Sequence, residues 1–303
     1  MGRLIDGVWS NEDLGADAKG RFVRRAAKFR GVLGTDAHPA VTGRYRLYVA
    51  HACGWSHRTL LFRALQGLED VIEAVFVDPF MGEQGWRLDD GTPLYEVYLS
   101  AAPDYTGRVS VPALWDLETG KIVCNESKDI VASLDGPLNH LARHPRPLFP
   151  DGEREAIDAM IEANYGPVND GVYRCGFAAN QEAHEQAAWA LFNRLDELES
   201  LLGKQRYLLG ETVSAADWYL FPTLYRFDSV YHTHFKCNLR RLTEYPNLWA
   251  YTRELYQWPG VRETCRMKEI KEHYYRSHES IHPRRYVPIG PILDFDEAHG
   301  RGS

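Results

Sequence analysis

The first regular alternation of apolar and polar side chains along the chain begins at residue 45. In residues 45–49, Tyr-Arg-Leu-Tyr-Val, the larger apolar groups recur at every second position, which is the period of a half-buried strand. The small and polar residues 51–54 end this pattern, and a helix is predicted from about Trp55 to Leu65. The mostly apolar run 71–77 predicts a second strand that is covered on both faces, as parallel strands are. These segments together predict a β-α-β unit.

A second group of strands follows a long polar stretch between residues 78 and 107. Residues 113–117 and 121–124 flank Glu118-Thr119-Gly120 as two strands flank a hairpin turn, and Asn125-Glu126-Ser127 opens another helix. A cysteine stands at the first strand-to-helix junction, and a Val-Pro pair precedes the hairpin. The order β-α-β, hairpin, helix with these two features is the plan of a thioredoxin-like domain.

The second half of the chain shows helical periodicity. The predicted helices are 151–164, 181–202, 214–226 and 246–257. The second of these carries an apolar stripe made of Ala188, Leu191, Phe192, Leu195, Leu198 and Leu202. Ser214 and Asp217 have the form of an N-terminal cap, in which the hydroxyl accepts from a backbone N–H and the carboxylate lies in the positive first turn.

The fold class expected from these patterns is α/β followed by all-α. The predicted limits are an irregular N-terminal arm over 1–43, a thioredoxin-like domain over 44–138, a Pro-rich linker over 139–150, an all-helical domain over 151–282 and a C-terminal tail over 283–303. A length of 303 residues is sufficient for two domains, each with its own core.

Composition and charge narrow the set of partners. The net charge of -7 and the pI of about 6.0 give no basic surface of the kind that binds nucleic-acid phosphates. No apolar run is long enough to span a bilayer, and the N-terminus lacks the pattern of a signal or transit peptide. We therefore expect a cytoplasmic protein that binds neither nucleic acid nor membranes.

Cys53 is the leading candidate for a chemically active residue. The five cysteines are widely spaced and form no C-x-x-C pair, which argues against a disulfide framework. Cys53 lies where a strand passes into a helix, and the free N–H groups and dipole of a helix N-terminus stabilise a thiolate. A buried structural cysteine is the alternative. Because Ser56 stands where a resolving cysteine would be, a disulfide on Cys53 would need an external thiol such as glutathione.

Two further segments allow a structural and a ligand-binding interpretation. The Val111-Pro112 bond could be cis and turn the Val111 backbone towards an extended ligand, or it could be a trans bond at the start of a strand. Glu126-Ser127 could be only a helix cap, or it could bind the carboxylate and ammonium groups of a ligand. The sequence alone leaves both questions open.

The tyrosines and histidines give weaker signals. With 17 tyrosines in the chain, local context does not distinguish Tyr173, Tyr231, Tyr274 or Tyr275 from packing residues. Residues 232–237, His-Thr-His-Phe-Lys-Cys, have the side chains of a metal site but lack a convincing fourth ligand, so no metal is expected. The remaining histidines considered, which are expected at the surface, are His273, His278 and His282.

Taken together, short motifs spread from about Arg21 to Arg301 resemble the glutathionyl-hydroquinone reductases, the Xi class of glutathione transferases. In chain order the motifs are Cys-Gly-Trp-Ser-His-Arg at 53–58, Gly-Trp at 85–86, Gly-Arg-Val-Ser-Val-Pro at 107–112, Asn-Glu-Ser at 125–127, Gly-Val-Tyr at 171–173, Arg-Phe-Asp at 226–228 through Tyr231, Thr-His-Phe-Lys-Cys at 233–237, His-Tyr-Tyr-Arg-Ser-His at 273–278 and Ile-Gly-Pro-Ile-Leu-Asp at 289–294. So many motifs in the right order form a specific signal.

The resemblance implies a fold, a cosubstrate and a set of roles. The implied architecture is a thioredoxin-like domain joined to an all-helical glutathione-transferase domain, usually in a homodimer, with glutathione as cosubstrate. The implied catalytic residues are Cys53 as nucleophile, Tyr173 as proton donor or acceptor, and Tyr231 and Tyr274 near the sulfur and the substrate hydroxyls. The implied glutathione-binding residues are Trp86, Arg108, Val109, Ser110, Val111, Glu126 and Ser127.

By the same resemblance, the expected reaction removes glutathione from a glutathionylated hydroquinone. One departure from the family motif is that Gly54 replaces a proline and Ser56 an alanine, so the turn that aims the sulfur is less constrained. An omega-like thiol transferase or dehydroascorbate reductase, a conventional conjugating transferase and a non-catalytic glutathione-binding protein remain alternatives.

Overall fold

The computed structural model describes residues 2–12 and 16–302, and the chain forms two compact units. The thioredoxin-like unit comprises Met1–Leu14, Arg25–Arg146 and Glu263–Ser277. The helical unit comprises Gly15–Arg24, Pro147–Arg262 and His278–Ser303.

The strands are β1 (Arg3–Ile5), β2 (Val8–Ser10), β3 (Tyr45–Val49), β4 (Glu73–Phe76), β5 (Gly107–Arg108), β6 (Ala113–Asp116) and β7 (Lys121–Cys124). The α-helices are α1 (Gly54–Leu65), α2 (Leu94–Ala101), α3 (Ser127–Asp135), α4 (Arg154–Asn164), α5 (Gly171–Gly176), α6 (Gln181–Leu202), α7 (Ala215–Arg226), α8 (Pro246–Tyr256) and α9 (Met267–Ser277). Two π-helical turns, Tyr165–Asn169 and Phe227–Tyr231, follow α4 and α7. Among the described residues, no helix is long and apolar enough to cross a membrane.

The main sheet of the thioredoxin-like unit has the strand order β4-β3-β6-β7. β3 is parallel to β4 and antiparallel to β6, and β7 is antiparallel to β6, so β3, β4 and β7 all run in one direction. Leu47 lies in the centre of the sheet, opposite Ala74 on one side and Leu114 on the other. This is the predicted β-α-β and hairpin arrangement, and the thioredoxin-like fold class is confirmed.

The N-terminal arm is more regular than predicted. β1 and β2 pair through a two-residue turn at Asp6 and Gly7, both of which have positive φ (47° and 78°), as the favoured type of hairpin turn requires. β1 also pairs with β5, where Leu4 lies opposite Gly107. The prediction of an irregular arm was therefore wrong for residues 3–10. The reason is that each strand is only three residues long, too short to show a period in the sequence.

Three helices, α2, α5 and α9, were not predicted as separate elements from the sequence. α2 lies inside the stretch 78–107 that looks polar overall, and it buries Leu94 and Tyr98 one turn apart. α9 was included in the predicted all-helical domain over 151–282. The structure groups α9 with the thioredoxin-like unit, where its residues contact the loop after β4.

The helical unit contains α4 to α8. α6 covers the predicted range 181–202 and buries five of the six residues of its predicted stripe: Leu191, Phe192, Leu195, Leu198 and Leu202. α7 begins directly after Ser214, as predicted, and is buried along its whole length. The helical character predicted for the second half of the chain is confirmed.

Candidate active site

Strand direction brings the candidate residues of the thioredoxin-like unit to one edge of the main sheet. Because β3 and β7 run in the same direction and β6 runs against them, the ends of β3 and β7 lie beside the start of β6. Cys53 follows β3, Val111 precedes β6, and Glu126 follows β7. The sheet therefore gathers three separate predicted segments at the N-termini of α1 and α3.

Cys53 is the N-cap residue of α1 and is partly exposed. Its thiol donates to the carbonyl oxygen of Val111 at 3.4 Å. The described first turn of α1 contains no acidic residue, so no carboxylate competes with the sulfur for the positive end of the helix. Gly54 is the first helical residue. The geometry places a sulfur that is reachable from solvent at the N-terminus of a helix.

The segment 108–111 is held by buried hydroxyls. The hydroxyl of Tyr98 donates to the carbonyl of Ser110 at 2.7 Å, and the hydroxyl of Tyr105 donates to the carbonyl of Arg108 at 3.1 Å. The Val111-Pro112 bond is cis, which is one of the two alternatives left open by the sequence. Among the residues that the structure describes, none accepts a hydrogen bond from the backbone N–H of Val111. That donor is suited to an extended ligand.

Glu126 and Ser127 start helix α3. Glu126 is the N-cap, and its carboxylate accepts from the backbone N–H of Lys128 at 3.3 Å, so the capping interpretation is correct for its side chain. The hydroxyl of Ser127 accepts from the guanidinium of Arg58 at 3.2 Å. Arg58 is 3% exposed and lies over the ring of Trp55, 4.8 Å from its centroid. A buried cation therefore connects helix α1 to the start of α3.

Trp86 is held by a histidine that the sequence analysis placed at the surface. The ring of Trp86 stacks on that of His273, with 4.7 Å between centroids and 20° between planes. A ring nitrogen of His273, Nδ1, lies 2.9 Å from the carbonyl oxygen of Pro79. The surface prediction was wrong for His273 and for His278, which are 7% and 6% exposed, because both rings pack against other aromatic rings.

The four candidate tyrosine positions are divided between the two units. Tyr274 and its neighbour Tyr275 lie on α9 in the thioredoxin-like unit, and both are buried. Tyr173 on α5 and Tyr231 on the second π-helical turn lie in the helical unit, with their ring centroids 5.9 Å apart. Phe235 packs against both rings, at 5.5 and 5.6 Å. Tyr173 is partly exposed, whereas Tyr231 is 1% exposed.

Comparison with known proteins identifies the family. Residues 52–136 match the glutathione S-transferase N-terminal domain family, and residues 181–254 match the C-terminal domain family. The chain is 43% identical to the glutathionyl-hydroquinone reductase YqjG of Escherichia coli over 99% of this chain and 98% of that protein. It is 44% identical to the glutathionyl-hydroquinone reductase PcpF of Sphingobium chlorophenolicum over 96% of each chain.

Solved structures agree with these matches. A Xi class glutathione transferase from Natrialba magadii superposes with a TM-score of 0.93 at 43% identity, over 99% of this chain and 97% of that one. The glutathione-bound structure of YqjG superposes with a TM-score of 0.90 over 99% of each chain. The chain belongs to the Xi-class glutathione transferases. Its resemblance to this family, noted from the short motifs, is confirmed.

Asn125 and His57 support the site in this Xi-class transferase, and sequence analysis gave them no role although both lie in its motifs. Asn125 donates to the hydroxyl of Tyr98 at 3.3 Å and accepts from the backbone N–H of Phe29 at 3.1 Å, which fixes the support of the 108–111 segment. His57 on α1 lies 2.9 Å from the hydroxyl of Thr264, just before α9. These contacts join residues far apart in sequence, so no local pattern could have revealed them.

The other cysteines of this Xi-class transferase differ from Cys53 in exposure. Cys124, Cys175 and Cys237 are at most 3% exposed, and Cys265 is partly exposed. Burial raises the pKa of the Cys124 thiol to about 12. Burial, together with the neighbouring Cys175, raises the pKa of Cys237 well above its ordinary value. The thiols of Cys124 and Cys237 therefore remain protonated at neutral pH.

Cysteine alkylation should distinguish the partly exposed cysteines from the buried ones. When the native protein is treated with iodoacetamide at pH 8, we expect Cys53 and Cys265 to be modified while Cys124, Cys175 and Cys237 remain intact, because only a reachable thiolate reacts. Peptide mass spectrometry before and after unfolding in guanidinium gives the measurement. Modification of a buried cysteine at the rate of Cys53 in the native protein would contradict this prediction.

The histidines at 232 and 234 were considered as metal ligands because of their spacing in the sequence. Within residues 2–12 and 16–302 no group of three or more His, Cys, Asp or Glu side chains has an arrangement that could hold a metal ion. His234 and His278 do lie close together, with 3.1 Å between ring nitrogens, but this is a hydrogen-bonded pair packed against Phe235. Both of these histidines are buried in the helical unit.

Proposed function

We propose that this protein is a glutathionyl-hydroquinone reductase that uses the Cys53 thiolate to remove glutathione from aromatic substrates. The observation that supports this most strongly is the position of Cys53, partly exposed at the N-terminus of α1 and 3.4 Å from the Val111 carbonyl. Membership of the Xi class and the names of YqjG and PcpF support the same reaction.

Glutathione would bind along the edge of the main sheet. In the proposed pose, the backbone N–H and carbonyl of Val111 pair with the extended tripeptide. Glu126 and Ser127 receive its charged γ-glutamyl end at the N-terminus of α3, where backbone N–H groups and the helix dipole favour a carboxylate. Trp86 and Arg108 to Ser110 complete the proposed site. This arrangement would direct the glutathione sulfur towards Cys53.

The proposed chemistry has two steps. In the first, the Cys53 thiolate attacks the thioether sulfur of the glutathionyl-hydroquinone; the bond between carbon and sulfur breaks, the ring carbon takes up a proton, and a Cys53-glutathione disulfide remains. Tyr173 is proposed to exchange that proton, and Tyr231 and Tyr274 to hold the ring hydroxyls. In the second step, another glutathione thiolate attacks the disulfide, which releases oxidised glutathione and regenerates Cys53.

A thiol transferase of omega-like type is the main alternative, because it would use the same thiolate and the same disulfide. Conjugation of glutathione to electrophiles normally uses a serine or tyrosine hydroxyl beside the glutathione sulfur, so the cysteine argues against it. A non-catalytic glutathione-binding protein would have the fold without turnover.

Side-by-side assays distinguish these functions. Glutathionyl-menadiol with excess glutathione, dehydroascorbate with glutathione, and 1-chloro-2,4-dinitrobenzene with glutathione are supplied separately to the purified protein. We expect hydroquinone release to have the highest kcat/KM of the three. If dehydroascorbate reduction dominates, the omega-like function replaces this proposal; if none of the three reactions exceeds the rate without protein, the catalytic proposal fails.

The glutathione site gives a prediction for Ser127. Replacing Ser127 with alanine removes one acceptor of the buried Arg58 guanidinium and one proposed ligand contact. A hydrogen bond to a charged group is worth about 1.5–3 kcal/mol, so we expect glutathione affinity to fall about 10- to 100-fold. Isothermal titration calorimetry with glutathione measures this change.

The matched control is Ser133→Ala on the same helix. The Ser133 hydroxyl is also buried, and within the described part of the chain its hydrogen bonds are to the backbone of Leu33 and Asp129. This variant is expected to lose some stability and to keep its glutathione affinity. Equal loss of affinity in both variants would show that α3 is merely destabilised.

We further propose that the protein acts as a homodimer in the cytoplasm. None of the five cysteines, all of which the structure describes, forms a disulfide, which suits a reducing compartment that supplies glutathione. Analytical ultracentrifugation of the purified protein tests the oligomeric state, and a single species at the monomer mass would exclude the dimer.

A further inference from the structure

A short N-terminal segment, Gly15–Arg24, belongs to the helical unit although most of the arm belongs to the other unit. Its described part is fixed at several points. The carbonyl of Gly20 accepts from the backbone N–H of Ala179 at 2.9 Å, and the side chain of Asn180 donates to the carbonyl of Lys19 at 3.1 Å. The ring of Phe22 packs on that of Phe177, with 5.6 Å between centroids. These contacts place Arg24 beside helix α5.

Arg24 forms an ion pair with a buried carboxylate. Its Nε donates to Asp170 Oδ1 at 2.6 Å, and the side chains of Arg24 and Asp170 are 23% and 3% exposed. Arg174 donates to the other oxygen of Asp170 at 2.9 Å. Two guanidinium groups therefore share one carboxylate, which leaves one net positive charge at this end of α5.

The same guanidinium lies over the ring of Tyr173. The Arg24 Cζ atom is 5.0 Å from the centroid of that ring, within the range of a cation–π contact. Asp170 and Tyr173 are one helical turn apart, and the Asp170 carbonyl accepts from the backbone N–H of Tyr173 at 3.0 Å. Arg24 thus contacts the Tyr173 ring directly and is anchored through Asp170 to the turn that carries it.

We propose that Arg24 is a positioning residue for Tyr173, which orients the phenol ring and stabilises its negative charge when the hydroxyl gives up its proton. This inference rests on the proposed role of Tyr173 in proton exchange. The aromatic rings that pack against Tyr173 include those of Tyr231, Phe177 and Phe235. The charged groups beside it include Arg24, Arg174 and Asp170.

Arg24 keeps its charge over the working pH range. Burial lowers the pKa of the guanidinium, but the charge and hydrogen bond of Asp170 raise it by more, and Tyr173 adds to the rise. A planar guanidinium can lie flat over a phenol ring while it donates to a carboxylate, and a lysine ammonium cannot do both with the same geometry. The chemistry of the residue therefore matches the two contacts that it makes.

A double-mutant cycle tests the proposal. Arg24→Gln, Tyr173→Phe and the combined variant are assayed for hydroquinone release from glutathionyl-menadiol between pH 6 and 10. We expect Arg24→Gln to lower kcat about 5- to 30-fold and to move the alkaline limb of the kcat profile to higher pH, because loss of the cation disfavours the phenolate. In the Tyr173→Phe background the Arg24 change should have no further effect.

Two additional variants test whether the effect of Arg24→Gln comes from the loss of the positive charge at residue 24. Arg24→Lys keeps the charge and should recover part of the rate. Arg21→Gln alters an exposed arginine of the same segment that pairs with Asp17, and it should leave both kcat and the pH profile unchanged. If Arg24→Gln does not fold, Arg24→Met supplies a second neutral variant, and an unshifted profile with full activity in that variant would overturn the proposal.

The outcomes separate the two hypotheses. If Tyr173→Phe has the activity of the wild type, the proposed role of Tyr173 fails whatever Arg24 does. If Tyr173→Phe is impaired but Arg24→Gln lowers the rate equally in both backgrounds, Arg24 acts on the structure alone and the inference is overturned. A loss that disappears in the Tyr173→Phe background, together with the shifted profile, supports it.

Discussion

Replacing Cys53 with alanine is expected to abolish hydroquinone release from glutathionyl-menadiol, with a fall in kcat of at least about a thousandfold. The proposed mechanism has no first step without the sulfur, and no second cysteine at residue 56 can substitute for it. The measurement is product release at saturating glutathione, together with mass spectrometry for the glutathione adduct. The adduct should form on the wild-type protein and be absent from the variant.

Two control variants make this test specific. Cys265→Ala removes the other partly exposed thiol and should keep most of the activity. Cys53→Ser keeps the shape of the site, so it should bind glutathione with near wild-type affinity while it fails to turn over. Hydroquinone release by Cys53→Ala at more than a few per cent of the wild-type rate would rule out the thiolate mechanism.

The sheet and the sulfur could be predicted because their signals are local. An alternating strand at 45–49, a cysteine directly after it and a helix from residue 54 are consecutive in the sequence, and the structure has them in that order. The same holds for α6, whose apolar stripe follows the helical period over 22 residues. In both cases one face of one element is buried, and burial of one face produces a visible period.

The supports of the site could not be predicted, because they depend on contacts between distant segments. Nothing near Trp86 in the sequence indicates His273, and nothing near Ser110 indicates the hydroxyl of Tyr98. α9 follows the helical half of the chain without interruption, so sequence order assigned it there. The ring of His273 and the hydroxyl of Ser277, both on α9, instead contact the loop at residues 79–86.

The Asp6-Gly7 hairpin was not predicted from the sequence for a different reason. The turn residues are typical of a hairpin, since both adopt positive φ, and Gly7 lies so close to Pro103 that a Cβ there would be 2.2 Å from its carbonyl oxygen. The turn was therefore visible in principle. The strands on either side are too short to show alternation, and β1 is stabilised by pairing with β5, which follows about a hundred residues later.

The largest expected loss of stability comes from Asp217→Ala at the start of α7. The Asp217 carboxylate is fully buried and accepts four hydrogen bonds: from the backbone N–H of Leu208 at 3.0 Å, the Tyr251 hydroxyl at 2.7 Å, and the backbone N–H and hydroxyl of Ser214 at 2.8 and 3.0 Å. Alanine leaves these donors without their acceptor. We expect the free energy of unfolding to fall by about 3–5 kcal/mol, measured by urea unfolding.

Variants of Ser214 and Tyr251, which both donate to Asp217, show how much of this loss of stability each hydrogen-bond donor accounts for. Ser214→Ala removes one donor and keeps the Asp217 carboxylate, so it should cost about 1 kcal/mol, as loss of a helix cap does. Tyr251→Phe removes one buried hydroxyl and should cost about 1–2 kcal/mol. If Asp217→Ala cost no more than Ser214→Ala, the carboxylate could not be the centre of this network.

The pH dependence of the Asp217→Ala effect follows from the direction of a pKa shift. Burial raises the pKa of Asp217 above the ordinary value of 3.8, and its hydrogen bonds lower it by less. The native state therefore binds this proton more tightly than the unfolded chain does. The stabilisation of the native state by this proton is complete below the pKa that Asp217 has in the unfolded chain. It is lost as the pH rises through the pKa that Asp217 has in the native state. We expect the difference in unfolding free energy between wild type and Asp217→Ala to be larger at pH 5 than at pH 8. The opposite order would mean that Asp217 is held as a carboxylate whose hydrogen bonds outweigh its burial.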